Sequence, residues 1–108
     1  GLSRQALRSW ISTFLTVYRD TVGRRPMIYT NAHWWDDVIG AWTPTNTPLM
    51  LAAYQSSRPT NLPGNWWAYE MWQYSETGPF AGDSIRWHGT RAQLDTFVTD
   101  KGYSARGI

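Results

Sequence analysis

A chain of 108 residues holds at most one domain, and its core is modest. The absence of Cys excludes disulfides and thiolate metal sites, and His33 and His88 lack a third ligand, so no cofactor or metal is expected. The net charge of +2 comes with scattered Arg, without the basic run of a nucleic-acid binder, and no apolar 18-mer or lipidation motif points to a membrane.

Ser3 opens the first element as an N-cap. Leu7, Trp10, Ile11, Phe14, Leu15 and Tyr18 then recur at the spacing of an amphipathic helix, which Gly23 and Pro26 end. Its broad apolar stripe is expected to lie on a sheet. The abrupt start at Gly1 suggests that a further segment precedes it. Pro26 to Asn31 reads as a buried strand. A short helical turn follows from His33 to Ile39, stopped by Gly40. Pro48 to Tyr54 reads as a second buried strand. Gln55 to Asn65, with two Pro and one Gly, reads as a loop.

The most informative stretch is Trp66 to Tyr74. Trp66, Ala68, Glu70, Trp72 and Tyr74 alternate with Trp67, Tyr69, Met71 and Gln73, as in a strand covered on both faces. After a Gly/Pro loop, Asp83 to Trp87 forms a fourth strand. Thr90 and Gln93 form a capping box for a closing helix marked by Leu94, Phe97 and Val98. From Lys101 on, a frayed tail is expected.

Strands with intervening helices favour a mostly parallel α/β sheet. Four strands and two long helices do not close a barrel, so open edges and an uncovered face are expected. The chain therefore reads as part of a larger barrel, or as one that associates with its own copy.

Eight Trp and six Tyr are more rings than one small core easily holds. Flat rings beside lone carboxylates and amides suit a sugar-binding cleft, where rings stack on pyranose faces and polar groups take hydroxyls. Residues near strand ends are the candidates. Tyr29 either packs or reaches the cleft, and Asn31 either caps the next helix or does the same. Tyr54 ends its strand and is in reach. Trp72 and Gln73 sit near the end of the aromatic strand, but alternation forbids both from facing one way. Trp34, Trp35, Asp36 and Asp37 form either a groove wall or a surface turn, and Glu70 is expected to meet an Arg inside the structure.

Four motifs in order, PMIYTNAHWW, PLMLAAY, LPGNWWAYEMWQYS and GDSIRWHGTRAQL, resemble the C-terminal half of the glycoside hydrolase family 25 lysozymes, the Chalaropsis-type muramidases. The resemblance implies a partial, modified (β/α)8 TIM-like barrel whose last strands lack full helices. It implies a secreted or phage-encoded enzyme acting on the glycan strands of peptidoglycan, at the β-1,4 bond between N-acetylmuramic acid and N-acetylglucosamine. It also implies that Asp83 matches an active-site Asp of the family, six residues before the Gly of an F-N-G-T segment that here reads Trp87-His88-Gly89-Thr90. His88 in place of Asn brings the geometry near Asp83 into question. The family's Asp-x-Glu, which carries the general acid, occurs nowhere in this sequence. A missing N-terminal half-barrel is the implied partner. The rival readings are a non-catalytic glycan-binding module, favoured by the rings and the absent carboxylate pair, and a domain whose rings form a partner interface.

Overall fold

The computed structural model describes residues 1–101, so the tail from 102 onward lies outside the described residues. Helix α1 runs Arg4–Val22. The Ser3 hydroxyl accepts from the Ala6 N–H at 3.1 Å. Gly23 adopts φ 78° and donates to the Arg19 carbonyl, closing the helix as the sequence indicates.

The apolar stripe of α1 does not lie on the sheet as a whole. Leu7 and Ile11 pack against the core. Trp10, Phe14 and Tyr18 stand in solvent instead, stacked at 5.5 and 6.3 Å along one edge of the helix. The two rows are offset by three residues, about 60° around the helix at roughly 100° per residue. Only one of them can meet a flat neighbour. The basic residues of α1 have a specific use: Arg4 donates to the Asp37 carbonyl at 2.9 Å, and Arg8 to the Ile39 carbonyl at 2.9 Å. These carbonyls end helix α2 (Ala32–Val38) and have no partner within it.

The strands are β1 (Ile28–Thr30), β2 (Leu49–Ala52), β3 (Met71–Ser75) and β4 (Ser84–Trp87), in the spatial order β1-β2-β3-β4. β1, β2 and β3 are parallel, and β4 runs antiparallel to β3. The loop of 76–83 is too short for a parallel crossover, so β4 turns back as a hairpin. Helix α3 (Arg91–Thr99) opens on the expected capping box between Thr90 and Gln93. At nine residues it is less than half the length of the nineteen-residue α1.

The aromatic stretch departs from its expected form. The strand begins only at Met71, and burial from Trp66 to Glu70 does not alternate. Trp66, Ala68, Tyr69 and Glu70 are all buried, while Trp67 is 63% exposed. The segment is held by anchors rather than by a ladder. The Trp66 N–H donates to the Pro63 carbonyl, and its indole N–H donates to the Thr47 carbonyl at 2.9 Å. Gly64 makes the turn, with φ 54° and a backbone so close that a Cβ would meet the Trp42 carbonyl oxygen at 2.3 Å. Its N–H donates to Asp36. Asp36 is thus a loop anchor, and Trp35 is a core residue, not a groove wall.

The register divides the sheet into two faces. Thr30, Leu51 and Trp72 are aligned and buried beneath the helices and loops. Leu51 and Trp72 form the core with Leu49, Trp35, Ile39, Trp66 and Tyr69. On the opposite face Tyr29 is 56% and Ile85 44% exposed, and Met50, Ala52 and Met71 are half-buried. One face of a sheet whose parallel strands want cover on both sides is open.

Candidate functional site

Because β1 to β3 are parallel, their C-terminal ends lie together. That end collects three of the candidates. The Tyr29 hydroxyl donates to Gln73 Oε1, and the Tyr54 hydroxyl donates to the same oxygen at 3.3 Å. One carbonyl oxygen has two lone pairs, so a single amide orients two phenols. Gln73 is buried on the otherwise open face because these two rings close over it.

The Tyr54 phenol titrates above the ordinary tyrosine value. Desolvation is the first cause, the hydrogen bond and charge of Tyr29 come next, and the carboxylates of Glu76 and Asp83 add to it. Each disfavours the phenolate. Folding is therefore expected to lose stability as pH rises past the ordinary tyrosine pKa of about 10 toward the higher folded value, because the unfolded phenol ionises first. In a Tyr29→Phe variant the Tyr54 titration, followed by NMR of its ring carbon, is expected to move to lower pH. An unchanged titration would show that the two phenols are not coupled.

Asp83 is exposed at the start of β4, directly after Gly82 with φ 77°. The pairing of Ser75 with Ser84 sets it beside the C-terminal end of β3. Its carboxylate acts electrostatically on Tyr54, as the last of the influences that raise that phenol. Among the described residues nothing hydrogen-bonds its side chain, which leaves the carboxylate available to a ligand.

The remaining candidates go elsewhere. Trp72 points to the core, where its indole N–H donates to the Ala53 carbonyl at 2.8 Å and its ring meets Tyr74 edge-on. Alternation therefore sends Gln73, and not Trp72, to the cleft. Asn31 caps α2: its side-chain oxygen accepts from the Trp34 N–H at 2.7 Å. His88 lies at the far end of β4 from Asp83, where it meets Arg58 and Tyr69. Glu70 is completely buried beside Leu49 and His88, remote from solvent.

Glu76 belongs to the site and is absent from the sequence-based candidates. It lines a cavity of about 440 Å³ with Tyr54, Gln55, Tyr74, Ser75 and Thr77. The signal was present, since an acid one residue past the end of a strand falls where barrel sites are built. The cleft thus presents phenols, an amide and two exposed carboxylates, a set suited to a hydroxyl-rich ligand. Among the described residues no helix is long and apolar enough to cross a membrane, and no three His, Cys, Asp or Glu gather to hold a metal.

Known proteins resemble this chain along most of its length. The chain is 40% identical over 100 residues to an N,O-diacetylmuramidase of Arthroderma benhamiae, covering 91% of the chain and 42% of that relative. It is 35% identical over 102 residues to the N,O-diacetylmuramidase of Chalaropsis sp, covering 92% of the chain and 48% of that relative. The chain thus spans less than half the length of these two proteins. A family GH25 lysozyme from Aspergillus fumigatus superposes with a TM-score of 0.80 at 40% identity, over 87% of this chain and 46% of that one. The family description "Glycosyl hydrolases family 25" matches residues 1–83, up to and including Asp83. On these matches the chain belongs to glycosyl hydrolase family 25.

Proposed function

We propose that this chain forms the C-terminal half of a peptidoglycan muramidase, which hydrolyses the β-1,4 bond between N-acetylmuramic acid and N-acetylglucosamine outside the cell that makes it, or as a phage product. The observation that carries the reading is the convergence of Tyr29, Gln73, Tyr54 and Asp83 on one strand end in a chain of this family. Glycoside hydrolysis passes through an oxocarbenium-like state, which a carboxylate stabilises while a separate carboxylic acid protonates the leaving oxygen. Asp83 supplies the stabilising charge. The Gln73 amide and the two phenols orient sugar hydroxyls, and Glu76 lines the wall of the same cleft. The proton donor comes from outside these residues, because the Asp-x-Glu of the resemblance is not among them.

The open sheet face and the exposed row Trp10, Phe14 and Tyr18 support the same reading. Both are surfaces that the other half of a barrel covers, with a second copy of the chain as the alternative occupant. A turbidity assay on bacterial walls tests the proposal. The 108 residues alone are expected to leave walls intact, and co-expression with a preceding half-barrel is expected to clear them. Rapid clearing by the isolated chain would overturn this division of labour.

A further inference from the structure

At the other end of the sheet lies a second groove, of whose residues Arg86 also reaches Tyr74 beside the Glu76 cavity. The pairing of Met71 with Trp87 marks the start of β3, and that of Ser75 with Ser84 marks its end. At about 3.3 Å per residue the two ends are roughly 13 Å apart. Two adjoining cavities, of about 310 and 150 Å³, open here and share Arg58, Tyr69 and His88.

Three observations give the groove a chemical character. First, Trp67 lines the larger cavity at 63% exposure, although its neighbours Trp66 and Ala68 are buried. The chain turns one large flat ring outward into a groove. Second, Arg58 and Arg86 line the smaller cavity with exposed side chains, and among the described residues neither has a carboxylate within salt-bridge distance. The Arg86 guanidinium lies over the Trp72 and Tyr74 rings at 5.9 and 5.6 Å. Third, Arg58 is positioned. Its Nη2 lies 3.0 Å from His88 Nε2, and His88 Nδ1 lies 3.1 Å from the Tyr69 carbonyl oxygen. A guanidinium and a carbonyl oxygen thus face the two ring nitrogens. The His88 ring also packs on Tyr69 at 4.6 Å. The imidazole thus holds the guanidinium in place without neutralising it.

We infer that this groove is a second, non-catalytic binding site for an anionic saccharide, with Trp67 stacking on a sugar ring and Arg58 and Arg86 taking its oxyanion. An exposed indole suits the apolar face of a pyranose. A guanidinium fork suits a carboxylate or a phosphate. The inference rests on the muramidase reading for the class of polymer, since bacterial walls carry both groups: carboxylates on the peptide-bearing sugars, phosphodiesters on attached polymers. A site away from the cleft would hold the enzyme on the wall between cuts.

The test is retention of the natural full-length protein on insoluble walls, measured beside its hydrolysis of soluble, uncrosslinked glycan chains. Trp67→Ala and Arg58→Gln are each expected to weaken retention about tenfold, with soluble turnover and thermal melting unchanged. Arg86→Gln serves as the second variant where Trp67→Ala fails to fold. Retention that survives acid removal of phosphate polymers assigns the oxyanion to carboxylates, and retention lost with them assigns it to phosphodiesters. Either outcome supports the site. Unchanged retention in all three variants, or no retention of the wild type, overturns it. A wild type that is retained through Trp67 and Arg58 but cleaves nothing overturns the muramidase reading and leaves this groove standing.

Discussion

Asp83→Asn in the natural full-length protein is expected to lower wall hydrolysis by about a hundredfold or more while leaving the melting temperature unchanged. The size follows from removing a fixed charge aimed at a developing cation, an effect on the order of 10²–10³ in comparable preorganised sites. The unchanged stability follows from the position of the residue. Asp83 is exposed, and no described side chain depends on it. Asn keeps the shape and the tolerance for the turn after Gly82 but loses the charge. Paired turbidity and thermal-denaturation curves check both halves of the expectation. Turnover at the wild-type rate would mean that Asp83 serves only the turn.

The second large effect concerns the core. Trp66→Ala is expected to destabilise the fold by about 3–5 kcal/mol, as for other large buried aromatic residues. The indole is 4% exposed and meets Trp35 edge-on at 4.9 Å. Its N–H also satisfies the carbonyl of Thr47, itself buried. Truncation therefore opens a cavity and orphans a carbonyl at once. Against a typical total of about 5–15 kcal/mol, such a loss leaves the domain near unfolding at ambient temperature. Urea titration followed by circular dichroism measures the shift. A loss under about 1 kcal/mol would mean that the segment from Trp66 to Glu70 is not the anchor described above. Trp67→Ala, one residue on, is the internal control, because its exposed ring contributes little to the core.

The contrast between these adjacent tryptophans shows where sequence reading stops. Strict alternation from Trp66 to Tyr74 pointed to one long strand, yet only Met71–Ser75 is strand. Alternation assigns faces only where a ladder holds the pleat. Upstream of Met71 the ladder is replaced by single anchors at Pro63, Thr47 and Leu49. Each ring there goes where a carbonyl or a cavity receives it. The same limit applies to α1: periodicity located its apolar side, but not which row of that side finds a neighbour.

What local chemistry dictates was legible in the sequence. Ser3, Gly23, Asn31 and the Thr90–Gln93 box act over three or four residues, so their hydrogen bonds are written into spacing alone. The apolar runs likewise located β1 and β2, and the order of motifs pointed to the family. Only the tertiary structure decided that Gln73 serves one phenol from β1 and one from just beyond β2, that Glu76 lines a cavity with Tyr54, and that Arg58 is held by His88. Those contacts link residues 19 to 44 positions apart, or depend on which way a hairpin folds back. No periodicity encodes such distances. They arise when parallel strands bring their ends to one side, and the packing of the whole sheet sets that geometry.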